Sequence, residues 1–89
     1  MGRWEVAEAV VLTGDGAYGC HASLRFWTGN WDGTLSFNDK VDALAVRAAE
    51  APRLQLDQHE GSFTVQDGDS APDELEIRGE GPWPFGTPP

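Results

Sequence analysis

The strongest constraint on the fold is the alternation of apolar and polar residues along most of the chain. In residues 18–27 the even positions carry Tyr, Cys, Ala, Leu and Phe, while the odd positions are mostly polar. Because successive side chains of a β-strand point to opposite faces of a sheet, this period of two predicts a half-buried strand. The same period recurs in four further short runs, at 35–37, 54–56, 63–65 and 75–77.

The N-terminal run, residues 4–13, alternates less regularly. Its even positions carry four apolar residues, which are Trp4, Val6, Val10 and Leu12. Glu8 interrupts this face and Val11 lies on the opposite one, so we expect a strand with a β-bulge or at a sheet edge. The Asp15-Gly16 pair that follows tolerates the positive φ angles of a tight turn. It therefore predicts a hairpin with residues 18–27.

A change of period marks one short helix. Four apolar residues recur at i, i+3, i+4 and i+7, which are Val41, Leu44, Ala45 and Ala48. This spacing predicts a helix with these residues on its buried face. Asp39 is the expected N-cap, and Pro52 ends the helix because proline cannot donate to the helical ladder. Strand pairing of residues 43–46 is the alternative.

Six predicted strands and one helix define the expected fold. Each strand has one apolar face, so the sheet must cover that face by itself. We predict a mainly β fold, with a six-stranded antiparallel meander closed into a small barrel or roll and one short helix between strands 3 and 4. Residues 1–81 form this single domain. Residues 82–89 are rich in proline and form an extended C-terminal tail.

The charge balance limits the partners that the chain can have. Fifteen acidic residues against six basic ones give a net charge of −9, and residues 57–89 contain Arg78 as their single base. Such a charge repels phosphate backbones and anionic lipids, so we expect no direct binding to nucleic acid or to a membrane. Cys20 is the only cysteine, which excludes an intrachain disulfide. We expect a cytoplasmic protein.

Candidate catalytic groups do not converge in the sequence. Cys20 and His21 resemble a nucleophile and its base, but adjacent residues on a strand point to opposite faces. Cys20 is therefore expected to be a core thiol. His59 is distant from His21 in sequence, and both are expected on the surface. We predict no enzymatic activity and no cofactor.

One acidic loop superficially resembles a calcium-binding loop. Asp67-Gly68-Asp69 precedes Asp73 and Glu74, and calcium prefers carboxylate oxygens around a tight turn. The loop lacks the twelve-residue EF-hand pattern with its closing Glu. We therefore favour a solvated loop and predict no metal site.

Tryptophan and phenylalanine residues are the more informative group. The candidate ligand or partner surface consists of Trp27, Trp31, Trp83 and Phe85. Large rigid rings give a partner contact area at low entropic cost. For Trp31, which falls in the predicted turn after strand 2, the alternative is that it closes an open barrel end. Trp83 and Phe85 either cover the barrel as a lid or dock into a neighbouring subunit.

Two segments carry a resemblance to a known group of proteins. LRFWTGNWDGTL (24–35) and LEIRGEGPWPF (75–85) resemble small β-barrel modules of unknown function that are common in actinobacteria, some of them fused to flavin monooxygenases. The resemblance covers about a third of the chain and consists of turn glycines and a Gly-x-Gly-Pro motif. It implies a barrel fold and brings no functional residues with it.

Three functions are compatible with these features. We favour a non-catalytic acidic barrel that associates with itself or binds another protein. One alternative is a barrel that binds a small ligand, such as a metabolite or a sugar, in its mouth. The other is an acidic inhibitor or nucleic-acid mimic that binds a basic protein.

Overall fold

The computed structural model describes residues 2–27, 29–66, 71–81 and 83–86. These ranges form six strands and one helix. In chain order the elements are β1 (Gly2–Leu12), β2 (Ala17–Trp27), β3 (Asn30–Phe37), α1 (Lys40–Ala48), β4 (Arg53–Leu56), β5 (His59–Gln66) and β6 (Glu74–Gly79).

The strands close into an antiparallel barrel, which confirms the predicted fold class. Their order around the barrel is β1-β2-β3-β6-β5-β4, and β1 also pairs with β4. The meander is interrupted at α1, because β3 pairs with β6 while β4 pairs with β1. The barrel therefore consists of two three-stranded meanders that α1 connects.

β1 contains the predicted bulge. Its register with β2 passes from Val6↔Ala22 to Ala9↔Cys20, so β1 has one additional residue at this point. The additional residue reverses the alternation, and Ala9 and Val11 point into the barrel. The predicted face is therefore wrong beyond the bulge, where Val11 is buried and its even-numbered neighbours are only half-buried. The edge position is also wrong, because β1 pairs on both sides.

α1 forms where the sequence predicts it. An oxygen of the Asp39 carboxylate accepts a hydrogen bond from the backbone N–H of Val41 at 2.9 Å, which confirms Asp39 as the N-cap. The helix ends at Ala48, four residues before Pro52. The alternative of a strand at residues 43–46 is wrong. At this length α1 is too short to cross a membrane, and no other helix occurs in the described ranges.

The predicted buried face of α1 is wrong. Val41 and Leu44 are exposed, whereas Ala43 and Val46 are buried in the barrel core. The small side chain of Ala43 lets the helix lie close to β3 and β6, which it contacts.

The barrel interior is filled by apolar side chains. Sixteen of them are buried, and the described residues include no buried polar or charged one. Among the largest are Trp31 of β3 and Phe63 of β5. We call the end of the barrel where β3 leads into α1 the helix end, and the opposite end, where β6 stops, the tail end.

Candidate interaction surfaces

The tail end of the barrel carries a cluster of aromatic rings. Trp4 of β1, Phe26 of β2 and Trp31 of β3 lie on neighbouring strands, and Phe26 pairs directly with Trp31. β3 begins at Asn30, so Trp31 belongs to a strand and points into the barrel, not to the turn that its sequence context predicts. We call the surface formed by Trp4, Phe26, Trp31 and Gly61 the aromatic cradle.

Residues 83–86, the tail segment, lie on the aromatic cradle. The ring of Trp83 lies 4.5 Å from that of Phe26 and 5.9 Å from that of Trp4, measured between centroids. Phe85 meets Trp31 edge to face at 5.0 Å. Such tilted and edge-to-face contacts are favourable for aromatic pairs. Trp83 and Phe85 therefore pack on the barrel of their own chain, as the lid alternative expects.

Glycines make room for these rings. A Cβ atom at Gly61 would lie 2.5 Å from Cγ of Pro84 and 3.2 Å from Cζ of Phe85, and one at Gly79 would overlap the indole of Trp31. A glycine inside a strand typically marks the close approach of another group. The tail end is therefore shaped by small residues in the strands as much as by the rings that cover it.

Two of the indole N–H groups at the tail end, those of Trp83 and Trp31, differ. Trp83 Nε1 donates to the backbone carbonyl of Gly86 at 2.7 Å, inside the tail segment. Trp31 Nε1 is buried and finds no acceptor among the described residues. A buried donor without an acceptor costs about 1–3 kcal/mol, so Trp31 is a point of local energetic cost.

Only part of the predicted aromatic surface comes together. Trp31 and Phe85 are 1% and 3% exposed and Trp83 is half-buried, so these three form one cluster. Trp27 stands apart at the end of β2, is 37% exposed and has no ring contact among the described residues. Whether these four residues bind a partner stays a prediction.

The helix end carries an apolar surface that the sequence analysis assigned to the core. Val41 is 61% exposed and Leu44 is 59% exposed, and they share one face of α1 because they are three residues apart. We call Val41 and Leu44 the α1 stripe. α1 has two apolar faces. The pair Ala43 and Val46, three residues apart, is the sequence signal for the face that is buried.

A shallow groove lies beside the bulge in β1. It has a volume of about 370 Å³, and Glu8, Cys20, His21 and Asn38 are among the residues that line it. The Cys20 thiol is buried, as predicted, and burial raises its pKa to about 12. His21 is exposed and follows Cys20 on the strand, so the two side chains point to opposite faces. A thiol that stays protonated is a poor nucleophile.

Three arginines and one aspartate lie in a row on the outer face of β1, β2, β3 and β6. Arg3 pairs with Arg25 across the strands, and Asp32 pairs with Arg78. Nε of Arg25 donates to the Asp32 carboxylate at 2.9 Å. Half of the chain's six basic residues therefore lie in one row.

The predicted metal ligands are only partly described. Asp67, Gly68 and Asp69 of the acidic loop lie outside the described residues, while Asp73 and Glu74 precede and begin β6. Within the described ranges, no three His, Cys, Asp or Glu side chains lie close enough together to hold a metal ion. His59 is exposed at the start of β5 and approaches Gly86 of the tail segment.

Comparison of the chain with protein-family models, with curated proteins and with solved structures finds no match, so these surfaces are interpreted from their own geometry.

Proposed function

We propose that this chain is a non-catalytic interaction domain and that it associates with a second protein surface, in the simplest case another copy of itself, through the α1 stripe. The observation that carries the proposal is the exposure of Val41 and Leu44 on one face of a helix that buries only Ala43 and Val46. In the monomer Val41 and Leu44, the only leucine of α1, therefore face water.

Covering the α1 stripe would be favourable. Burial of apolar surface contributes roughly 25 cal/mol for each Å² removed from water. Single exposed apolar residues are common on proteins, but Val41 and Leu44 are adjacent on the helix and form a continuous strip. Such a strip is the typical anchor of helix-to-surface recognition, in which residues at i and i+3 insert together.

The charges around the stripe suit a second copy. Lys40 begins α1 between Asp39 and Asp42, while Arg47 lies in its last turn and Glu50 follows its end. Both ends of the helix region therefore carry charges of both signs. An antiparallel pair of helices, centred on Leu44 of both copies, brings the end of each that carries Lys40 and Asp42 towards the end of its partner where Arg47 and Glu50 lie. An isologous contact of this kind is the commonest way to form a dimer.

Other features support a role without catalysis. The Cys20 thiol is buried and its pKa is raised, while His21 on the next position points away from it. The barrel interior is occupied by its own apolar side chains, and Trp31 with Phe85 fills the tail end. A ligand in the barrel mouth at the tail end would have to displace these two rings.

Solution mass tests the proposal. Sedimentation equilibrium over a wide range of concentrations should show the intact chain forming dimers, and the variant Val41→Ser/Leu44→Ser remaining monomeric. The control is Ala7→Ser, which changes an exposed residue of β1, outside α1, and should dimerise like the intact chain. An intact chain that is monomeric throughout contradicts self-association, as does a stripe variant that dimerises equally well.

A further inference from the structure

The tail segment is joined to the barrel by side chains. Among the described residues, the last backbone hydrogen bond before it runs from the Glu80 N–H to the Ser62 carbonyl at 2.9 Å, and none joins residues 83–86 to a strand. The contacts are those of Trp83 and Phe85 with the rings of the aromatic cradle. Side-chain contacts therefore hold the tail segment on the barrel, as they would hold a separate peptide in a binding site.

The tail segment also holds its own shape. Trp83 Nε1 donates to the Gly86 carbonyl at 2.7 Å, and Trp83 and Phe85 meet edge to face at 5.0 Å. These contacts lie within the segment, so they persist whichever barrel it covers. A short element that is organised before binding loses little entropy when it binds.

The aromatic cradle contacts a proline and the aromatic residues on either side of it. Gly61 lies so close to Pro84 and Phe85 that a Cβ atom there would be 2.5 Å from Cγ of Pro84. The rings of Trp31 and Phe85 meet edge to face, and the ring of Phe26 contacts that of Trp83. Aromatic grooves recognise proline-containing segments in this way in other small domains.

Gly81 is one of the three residues between β6 and the tail segment. Gly81 has φ of +80°, which only glycine adopts readily, and nothing lies within 4 Å of the Cβ position built there. Rotation at Gly81 therefore redirects the tail segment without a clash at this position. The unsatisfied N–H of Trp31, which the rings of Trp83 and Phe85 help to cover, weakens the hold of the resident segment.

From these observations we infer that the aromatic cradle is a binding site for a short proline–aromatic segment, occupied by the tail segment of the same chain and open to exchange for the tail segment of a second copy. Exchange of an identical element preserves every contact, so it costs little. This inference about the aromatic cradle goes beyond the proposed function, because it concerns the tail end and holds even if the α1 stripe binds nothing.

The resident segment has a concentration advantage over a second copy. A short tether gives it an effective concentration of the order of millimolar, so exchange requires a high protein concentration or a weakened resident. Phe85→Ala weakens the resident and leaves the cradle unchanged, since Phe85 belongs to the tail segment. The cradle is blocked by Gly61→Ala, because the new Cβ atom would meet Pro84 and Phe85.

A labelled synthetic peptide with the sequence of residues 81–89 tests the site directly. Fluorescence anisotropy should show saturable binding to the full-length Phe85→Ala chain, about tenfold or more tighter than to the intact chain, whose own segment competes. Adding Gly61→Ala to Phe85→Ala should abolish binding, whereas adding Gly19→Ala, at an open position of β2, should not. A peptide carrying Trp83→Ala and Phe85→Ala should not bind.

Mixing two full-length variants tests the exchange between copies. Both carry Val41→Ser/Leu44→Ser, so association through the α1 stripe does not contribute. One also carries Phe85→Ala, which weakens its own tail segment and opens its cradle. The other also carries Gly61→Ala, which blocks its own cradle and leaves its unchanged tail segment available to the first chain. Each alone should be monomeric, and the mixture should contain a species of twice the monomer mass.

Three results would overturn the inference. They are failure of the peptide to bind a folded Phe85→Ala chain, peptide binding that Gly61→Ala does not reduce, and peptide binding without mixed dimers. The last would mean that the cradle takes separate segments but not those of a second copy. Circular dichroism checks that Phe85→Ala is folded, and Phe85→Leu, which keeps an apolar side chain at this position, replaces it if it is not.

Discussion

Gly79 of β6 lies in contact with the indole of Trp31 on β3, so close that a Cβ atom at Gly79 would occupy the space of the ring. The contact fixes how deeply Trp31 inserts into the tail end. It also explains why the last residue of β6 has no side chain, although glycine is unfavourable inside a strand.

Replacement of Gly79 by alanine should therefore destabilise the protein. Forcing an additional carbon into a packed interior costs typically about 1–3 kcal/mol, and we expect a loss of this size in the free energy of unfolding. The matched control is Gly19→Ala in β2, where the new Cβ meets nothing within 4 Å. Urea denaturation followed by circular dichroism measures both, and equal midpoints would contradict the packing argument.

The unsatisfied N–H of Trp31 predicts an unusual response to truncation. Trp31→Phe removes part of the ring but also removes a buried donor that has no acceptor among the described residues, which regains about 1–3 kcal/mol. We expect Trp31→Phe to lower the free energy of unfolding by less than about 2 kcal/mol, and Trp31→Ala by about 3–5 kcal/mol.

Urea denaturation of both Trp31 variants, with the intact chain as reference, checks this prediction. A loss in Trp31→Phe of more than about 2 kcal/mol would show that removing the N–H regains little. In that case the ring contacts of Trp31 alone would determine its contribution.

The sequence predicts those elements whose formation depends on residues that are close together in the chain. Alternation placed the strands, and the Asp39 cap and Pro52 bounded α1. The strand order was not predictable, because pairing of β3 with β6 depends on where α1 leads the chain. The phase of β1 beyond its bulge was missed because one additional residue reverses every later side chain.

The surfaces were predicted only in part for a related reason. The two faces of α1 are both apolar, and the choice between them depends on how closely the helix lies against the barrel, which periodicity does not report. Trp31 was placed in a turn because Gly29 and Gly33 flank it, yet β3 runs through this stretch. Gly33, a residue type that is typical of turns, lies inside β3 and allows close packing there.

The Asp39 cap should contribute measurably to the stability of α1. Its carboxylate accepts a hydrogen bond from the Val41 N–H, which otherwise has no partner within the helix. We expect Asp39→Ala to cost about 1 kcal/mol and Asp39→Ser, which keeps a capping oxygen, to cost much less. Chemical denaturation measures both, and equal losses would mean that capping is not the cause.

Burial of Cys20 predicts a dependence of stability on alkaline pH. The folded thiol has its pKa raised from 9.0 to about 12, so the folded state keeps its proton where the unfolded state loses it. The unfolded state then binds fewer protons, and stability falls as pH rises from 9 towards 12, by at most about 1.4 kcal/mol per pH unit.

Cys20→Ala removes this contribution, so the difference in free energy of unfolding between the two chains should change over this range and stay constant below it. Urea denaturation at a series of pH values measures the difference, and other titrating groups cancel in the comparison. A difference that is constant from neutral pH to pH 11 would show that the thiol is more accessible to water than its burial indicates.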